Sequence, residues 1–198
     1  RDYAVDVANF VEALDLRDFV LVGHSMGGIV STVYAAINPG RVSRLVIVDS
    51  RMHMSQESIA RLRDFGTRPA SSYPSRDELV RRYRLEPPGT MIAPPEVIRH
   101  VAEMSGRERS DGTWTHKFDR SLYSIFERID ATPFWDEIKI PALLVKGARS
   151  NRIDAETFAE IKARAPQVEL AEVADSDHHI TLDNPGGFVE VVRQFVAE

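Results

Sequence analysis

One serine stands in a setting that could make it a nucleophile. The sequence FVLVGHSMGG, residues 19–28, runs from an apolar segment into Gly23, presents Ser25 and continues with two more glycines. Residues 23–27 match the pattern G-x-S-x-G, which occurs where a strand turns sharply into a helix and strains the serine backbone. Glycines beside such a turn avoid clashes that a Cβ atom would make. We therefore predict that Ser25 Oγ projects at the carboxyl end of a sheet.

The serine needs a base, and two adjacent histidines are candidates. A serine hydroxyl is a weak nucleophile unless a neighbouring group removes its proton as it attacks. His178 and His179 lie in the segment ADSDHHITLDNPGGF, residues 174–188, between the last predicted strand and the last predicted helix. Histidine can take up and return a proton near neutral pH. The residues alone leave the choice between the two open.

An acidic partner for the histidine could come from either of two positions. Asp49 follows the apolar segment 45–48, which predicts a strand that returns beside the one preceding Ser25. A carboxylate there would be partly buried, so it needs a partner, and a histidine is a natural one. Asp154 is the alternative, although its place before a helical pattern also suits an N-cap.

Predicted strands and helices alternate on both sides of the middle of the chain. Short apolar segments predict strands, and amphipathic or capped segments predict helices. The predicted strands are 19–22, 45–48, 142–145 and 168–173, and the predicted helices are about 2–15, 26–37, 154–165 and from 186 onward. This alternation is typical of an α/β fold, with a mostly parallel sheet and helices on both faces.

The middle of the chain has a different character. Residues 51–137 carry many arginines and the proline pairs Pro87-Pro88 and Pro94-Pro95. Helical patterns occur near 56–64, 76–83 and 96–103, and no strand pattern is visible. We therefore predict a helical insertion at 51–137, so that residues 1–50 and 138–198 form the α/β core.

Composition limits the possible partners. The chain has 198 residues, of which 43% are hydrophobic, and a net charge of −5, which gives no reason to expect nucleic acid or an anionic membrane. It has no cysteine, and the spacing of its histidines suits no metal site. No apolar run approaches the roughly 18 residues of a membrane span. We expect no metal, no cofactor and no membrane partner.

The residues around Ser25 carry a resemblance to a known family. The strand, the G-x-S-x-G turn and the helix after it resemble the serine-hydrolase branch of the α/β-hydrolase superfamily. The resemblance covers Arg1–Ser50 and Ile140–Glu198, and the segment WTHKFD at 114–119 is similar to cap sequences of bacterial members. It implies that Ser25 is the nucleophile and that residues 51–137 form a cap.

The family pattern also implies roles for several neighbours. The catalytic histidine of the family is followed by an apolar residue, an acidic residue and a proline, a spacing that His178 fits with Leu182, Asp183 and Pro185. The resemblance therefore implies His178 as the base. The backbone N–H of Met26 is expected to donate to the oxyanion. His24, His53 and His179 are expected to line the substrate site.

The acid is where the chain departs from the commonest family pattern. Most serine members place an aspartate shortly after the third strand predicted here, where this chain has Ser150 and Asn151. Another branch places the acid at the end of the strand that comes after the helix following the serine. In this chain that position is Asp49. We therefore predict Asp49 as the acid, with Asp154 as the alternative.

The resemblance also implies that the core expected for the family begins before the first residue of this sequence. Family members have several strands before the helix at which this chain begins, and a loop there supplies a second oxyanion donor. We therefore expect a piece of a larger cytoplasmic protein whose core lacks its first strands.

The expected activity is hydrolysis of a carboxylic ester or related acyl substrate, a small molecule, through an acyl-enzyme. Hydrolysis of a C–C bond, thioester or lactone, perhydrolysis, and ligand binding without turnover remain alternatives. The sequence does not assign an oligomeric state.

Overall fold

The computed structural model describes residues 2–86, 92–127 and 130–197, so that Pro87 and Pro88 lie outside the described residues. The chain divides into two compact units. The first consists of Arg1–His53 and Ile129–Glu198, and the second of Met54–Arg128.

The first unit is built on a four-stranded parallel sheet, in which residues 19–24, 42–48, 142–147 and 168–173 lie side by side in that order. The strands are β1 Phe19–His24, β2 Val42–Val48, β5 Ala142–Gly147 and β6 Val168–Val173. The helices are α1 Asp2–Ala13, α2 Met26–Ile37, α6 Ala155–Arg164, α7 Ile180–Asp183 and α8 Pro185–Ala197, with a 3₁₀ helix at Thr132–Glu137. The predicted α/β class is confirmed.

Side chains of β2 alternate between two apolar clusters. Leu45 and Ile47 pack in one cluster with residues of α1, α2 and α6, whereas Val46 and Val48 pack in the other with residues of α7 and α8. The alternation follows from the two-residue period of a strand, and helices on both faces bury all four side chains. This double burial explains why the sequence of β2 reads as a continuous apolar run.

The register of the sheet brings the strand ends together. His24 pairs with Val48 and Val48 pairs with Val145, while Gly147 pairs with Val173. Because all the strands are parallel, their carboxyl ends meet at the same edge. The segments that follow β1, β2, β5 and β6 therefore lie along that edge.

The second unit is mainly helical but includes a small sheet. Its helices are α3 Gln56–Thr67, α4 Arg76–Arg82 and α5 Pro95–Ser105, with a 3₁₀ helix at Arg120–Ile125. They agree with the helical patterns in the sequence. The antiparallel hairpin of β3 Gly106–Glu108 and β4 Trp114–His116 does not, because each strand has only three residues and shows no alternation.

The boundaries of the second unit lie inside the predicted 51–137. Met52 and Trp135 are fully buried in the core of the first unit, and the Ala131 amide donates to the Met52 carbonyl at 2.8 Å. His53 and Asp130 then pair in an antiparallel bridge. Residues 52–53 and 130–131 of the first unit are thus adjacent.

Candidate active site

Ser25 lies between β1 and α2 in a strained backbone conformation. Its φ and ψ angles are 55° and −120°, a region that costs free energy for any residue with a Cβ atom. Its amide donates to the Val48 carbonyl at 2.9 Å, and its carbonyl accepts from the Gly28 amide at 2.9 Å and from Ser50 Oγ at 2.6 Å. The Ser25 hydroxyl makes no capping hydrogen bond to α2, so it is left for other contacts.

The glycines around Ser25 have unequal roles. A Cβ atom on Gly23 would lie 2.4 Å from the carbonyl oxygen of Gly27 and from Ser31 Oγ, and one on Gly28 would lie 2.5 Å from Ser50 Cβ. A Cβ atom on Gly27 would meet no atom within 4 Å. The expected steric need for glycine therefore applies to Gly23 and Gly28, whereas space does not explain Gly27.

The structure brings Asp49 and His178 together. Asp49 follows β2, His178 lies between β6 and α7, and Asp49 Oδ2 is 2.8 Å from His178 Nδ1. Both residues are almost fully buried, with relative exposures of 0% and 2%. In the described part of the chain, no hydrogen bond joins Ser25 Oγ to the His178 ring. Catalytic hydrogen bonds are often long when no substrate is bound.

Two residues of the loop after β5 also face the Asp49 carboxylate. Ser150 Oγ donates to Asp49 Oδ2 at 2.8 Å, and Arg152 Nε lies 3.9 Å from the same oxygen. Burial lowers the pKa of Arg152, as does the nearby Arg51, while Asp49 and Asp177 act to raise it. Sequence reasoning did not identify Ser150 or Arg152 as site residues. The available signal was that Ser150 occupies one of the positions at which the resemblance led us to expect the acid.

Asp154 is the N-cap residue of α6. Its side chain accepts a hydrogen bond from the Thr157 amide at 2.8 Å and caps the N-terminus of α6. That hydrogen bond lowers the pKa of the exposed Asp154 carboxyl. Within residues 2–86, 92–127 and 130–197, no hydrogen bond or ion pair joins Asp154 to His178.

Three histidine rings cluster beside Asp49. His24 Nε2 lies 2.7 Å from the carbonyl oxygen of His178, and the two rings are 4.7 Å apart. The His179 ring is buried 4.9 Å from that of His178 and 5.9 Å from that of His24. Burial is the main cause that lowers the pKa of His24, which favours a neutral ring donating from Nε2. His24 thus supports the His178 backbone, a contact that its predicted role in substrate binding did not include.

Met26 and His53 occupy more exposed places. Met26 is the first residue of α2, where a backbone N–H has no partner within the helix and the helix dipole favours negative charge. His53 is exposed and pairs through its backbone with Asp130. Among the described residues, no hydrogen bond links His53 to Ser25, Asp49 or His178, and its expected role in lining the substrate site stays a prediction.

The described residues form neither a candidate metal site nor a candidate membrane span. These residues contain no group of three or more His, Asp or Glu side chains that could hold a metal ion. None of their helices combines the length and apolar character needed to cross a bilayer.

Several known proteins are similar to this chain over nearly its whole length. The sn-1-specific diacylglycerol lipase ABHD11 of Xenopus tropicalis is 25% identical over 207 residues, which cover 98% of this chain and 61% of the lipase. The 2-(acetamidomethylene)succinate hydrolase of Mesorhizobium japonicum is 25% identical over 199 residues, covering 99% of this chain and 70% of that enzyme. The chain therefore spans about three fifths to seven tenths of the length of these relatives.

Two solved structures share the fold of this chain, and a family profile matches most of its residues. E-2-(acetamidomethylene)succinate hydrolase superimposes with a TM-score of 0.79 at 22% identity, covering 100% of this chain and 73% of that one. The esterase Rv0045c of Mycobacterium tuberculosis superimposes with a TM-score of 0.76 at 24% identity, covering 98% and 66%. At these identities the superpositions show the shared fold. The profile of the Alpha/beta hydrolase family matches residues 1–191, and the chain belongs to that family.

Proposed function

We propose that this chain carries the catalytic residues of a serine hydrolase that cleaves a carboxylic ester or a related acyl compound. The observation that supports this most is the buried contact of 2.8 Å between Asp49 Oδ2 and His178 Nδ1. It lies at the sheet edge where Ser25 sits in its strained turn. A carboxylate, an imidazole and a serine at one sheet edge are the groups that nucleophilic acyl transfer requires.

In the proposed mechanism His178 Nε2 removes the proton of Ser25 Oγ as that oxygen attacks the substrate carbonyl carbon. Asp49 holds the Nδ1–H of the ring and stabilises the imidazolium that forms. The Met26 amide, at the N-terminus of α2, donates to the oxyanion of the tetrahedral intermediate. His178 then protonates the leaving alcohol, and a water molecule activated by the same ring releases the acyl group from Ser25.

The names of the relatives support an acyl substrate without selecting one. They include a diacylglycerol lipase, a 2-(acetamidomethylene)succinate hydrolase and an esterase. Members of one fold differ in the bond they cleave, so the proposal extends to the ester or acyl class and no further.

A serine-directed fluorophosphonate probe tests the proposal. The native protein should be labelled and should hydrolyse p-nitrophenyl acetate, whereas Ser25→Ala should lose both properties and remain folded. Ser43→Ala is a matched control, because the Ser43 hydroxyl donates to the Asp18 carbonyl at 3.0 Å and lies outside the candidate site. That control should be labelled like the native protein.

Two results would contradict the proposal. Undiminished labelling of Ser25→Ala would show that another residue is the nucleophile. A folded native protein that is neither labelled nor active would instead favour a ligand-binding protein without turnover.

A further inference from the structure

The loop after β5 directs a hydroxyl group at the candidate acid. Ser150 Oγ lies 2.8 Å from Asp49 Oδ2, and this oxygen is also 2.8 Å from His178 Nδ1. Ser150 is only 9% exposed. Two donors therefore meet at the one carboxylate oxygen that faces the candidate base.

The direction of the Ser150 hydrogen bond is fixed by its surroundings. A serine hydroxyl has a single proton to donate, and an ionised carboxylate can only accept. Ser150 Oγ itself accepts from the Arg152 amide at 3.2 Å, and the Ser150 amide donates to the Gly147 carbonyl at 2.9 Å. The loop thus holds the hydroxyl with its proton on the side of Asp49.

The hydrogen bond from Ser150 restrains the carboxylate of Asp49, which the backbone contacts of Asp49 leave free to rotate. The Asp49 backbone is anchored where its amide donates to the Val145 carbonyl at 2.8 Å. Rotation about the Cβ–Cγ bond could still carry Oδ2 away from His178 Nδ1. A charge-assisted hydrogen bond from Ser150 opposes that rotation, since such bonds are roughly twice as strong as neutral ones.

We propose that Ser150 is a positioning residue, which acts on the reaction by holding the Asp49 carboxylate toward His178. The inference rests on the proposed function, in which Asp49 is the acid. It assigns a role to a serine that stands where most serine members of the family carry the acid itself.

Steady-state hydrolysis of p-nitrophenyl acetate tests this role. We expect Ser150→Ala to lower kcat about 10-fold to 100-fold, because a hydrogen bond to a charged group is lost. KM should change much less, since Ser150 does not touch the substrate in this proposal. Ser150→Thr keeps the hydroxyl and should retain more activity than Ser150→Ala.

A double-mutant cycle separates positioning from a merely structural effect. In an Asp49→Ala background there is no carboxylate to hold, so adding Ser150→Ala should change the residual kcat by less than about two-fold. The same 10-fold to 100-fold loss in both backgrounds would overturn the positioning role.

Asp154→Ala is the matched control for damage to the loop. It removes the cap of α6 from the same loop, so it should lower the urea midpoint while leaving kcat within about two-fold of the native value. If Asp49→Ala itself keeps native activity, the proposed acid is wrong. If Asp49→Ala is inactive but Ser150→Ala is fully active, only the role of Ser150 is wrong.

Discussion

His178 is held by contacts at two different atoms. Its Nδ1 lies 2.8 Å from Asp49 Oδ2, and its backbone carbonyl accepts from His24 Nε2 at 2.7 Å. Its neighbour His179 is buried as well, but the His179 carbonyl accepts from the amides of Leu182 and Asp183 and so belongs to the start of α7. Two adjacent buried histidines therefore have different surroundings.

This difference predicts different effects of two substitutions. His178→Ala should lower kcat for p-nitrophenyl acetate by several orders of magnitude, because it removes the proposed base. His179→Ala should act mainly on KM, because in the proposed mechanism this residue only lines the site. Circular dichroism of both variants checks that they are folded. A larger loss of kcat in His179→Ala than in His178→Ala would show that His179 is the base.

His24 links the site to the pH dependence of stability. Burial lowers its pKa below the ordinary value of about 6.5, and the His178 ring and Arg152 act in the same direction, while Asp49 and the hydrogen bond to the His178 carbonyl oppose them. In the pH range just below 6.5 the unfolded chain therefore binds more protons at this position than the folded chain does. This contribution to stability is fully present above pH 6.5 and is lost as the pH falls below it.

The expected measurement is a set of urea unfolding curves between pH 7.5 and 5. The native protein should lose stability as the pH falls, and His24→Gln should lose less over the same range, because glutamine does not titrate. An equal loss in the native protein and in His24→Gln would show that other groups produce the whole effect. The sequence position of His24 predicts its location beside Ser25, whereas its hydrogen bond to His178 depends on residues 154 positions apart.

At the scale of elements, the turn between β1 and α2 depends on close packing against backbone. The site that a Gly23 Cβ would occupy is filled by the Gly27 carbonyl and by Ser31 Oγ. The corresponding site at Gly27 is open, although both glycines belong to the same G-x-S-x-G pattern. The pattern predicts the turn, but it does not show which glycine the turn needs.

Alanine at these two positions should therefore have opposite consequences. Gly23→Ala should lower the free energy of unfolding by about 1–3 kcal/mol or more, because backbone must move to admit the methyl group. Gly27→Ala should be neutral or raise it by about 0.5–1 kcal/mol, since alanine is the better residue inside a helix. Urea unfolding of the two variants, side by side, measures the contrast. Equal destabilisation would contradict the packing described for the turn.

Sequence patterns located the long elements better than the short ones. β2 and β5 are buried on both faces, so their apolar runs were visible, and α6 was marked by the capping residue Asp154. The hairpin of the second unit was missed because its strands have three residues each. A turn signal existed at Asp111, whose carboxylate accepts from the Thr113 amide at 2.9 Å beside Gly112 with φ of 79°.

The position of Asp49 can be predicted from the sequence, but its contact with Ser150 cannot. The expectation that β2 returns beside β1 is enough to place Asp49 at the same edge of the sheet as Ser25. The contact between Ser150 and Asp49 joins residues 101 positions apart and depends on the conformation of the loop after β5. No local pattern encodes such a contact, because it forms only when the parallel strands have paired.

At the scale of the whole molecule, the candidate residues belong to the first unit. Ser25, Asp49 and His178 all lie in Arg1–His53 or Ile129–Glu198. His53 and Asp130, which stand in the sequence on either side of residues 54–128, pair in an antiparallel bridge. A short connection there would close a small loop, whose entropic cost is modest.

A shortened chain tests whether the first unit is sufficient for the proposed chemistry. When residues 54–128 are replaced by a short Gly-Ser linker, we expect cooperative urea unfolding and continued labelling of Ser25 by the fluorophosphonate probe. The same linker with Ser25→Ala is the control for unspecific labelling. A folded but unlabelled shortened chain would show that the second unit is needed to activate the serine.

Asp49 and Ser50 are consecutive residues that reach different partners. Asp49 contacts the ring of His178, and the Ser50 hydroxyl donates to the carbonyl of Ser25. The amides of Asp49 and Ser25 are in turn fixed by carbonyls of neighbouring strands. Loss or gain of a single residue at this junction would therefore misplace the contacts to both residues at once. Over evolutionary time, changes of chain length should be tolerated in the surface loops and excluded from this dipeptide.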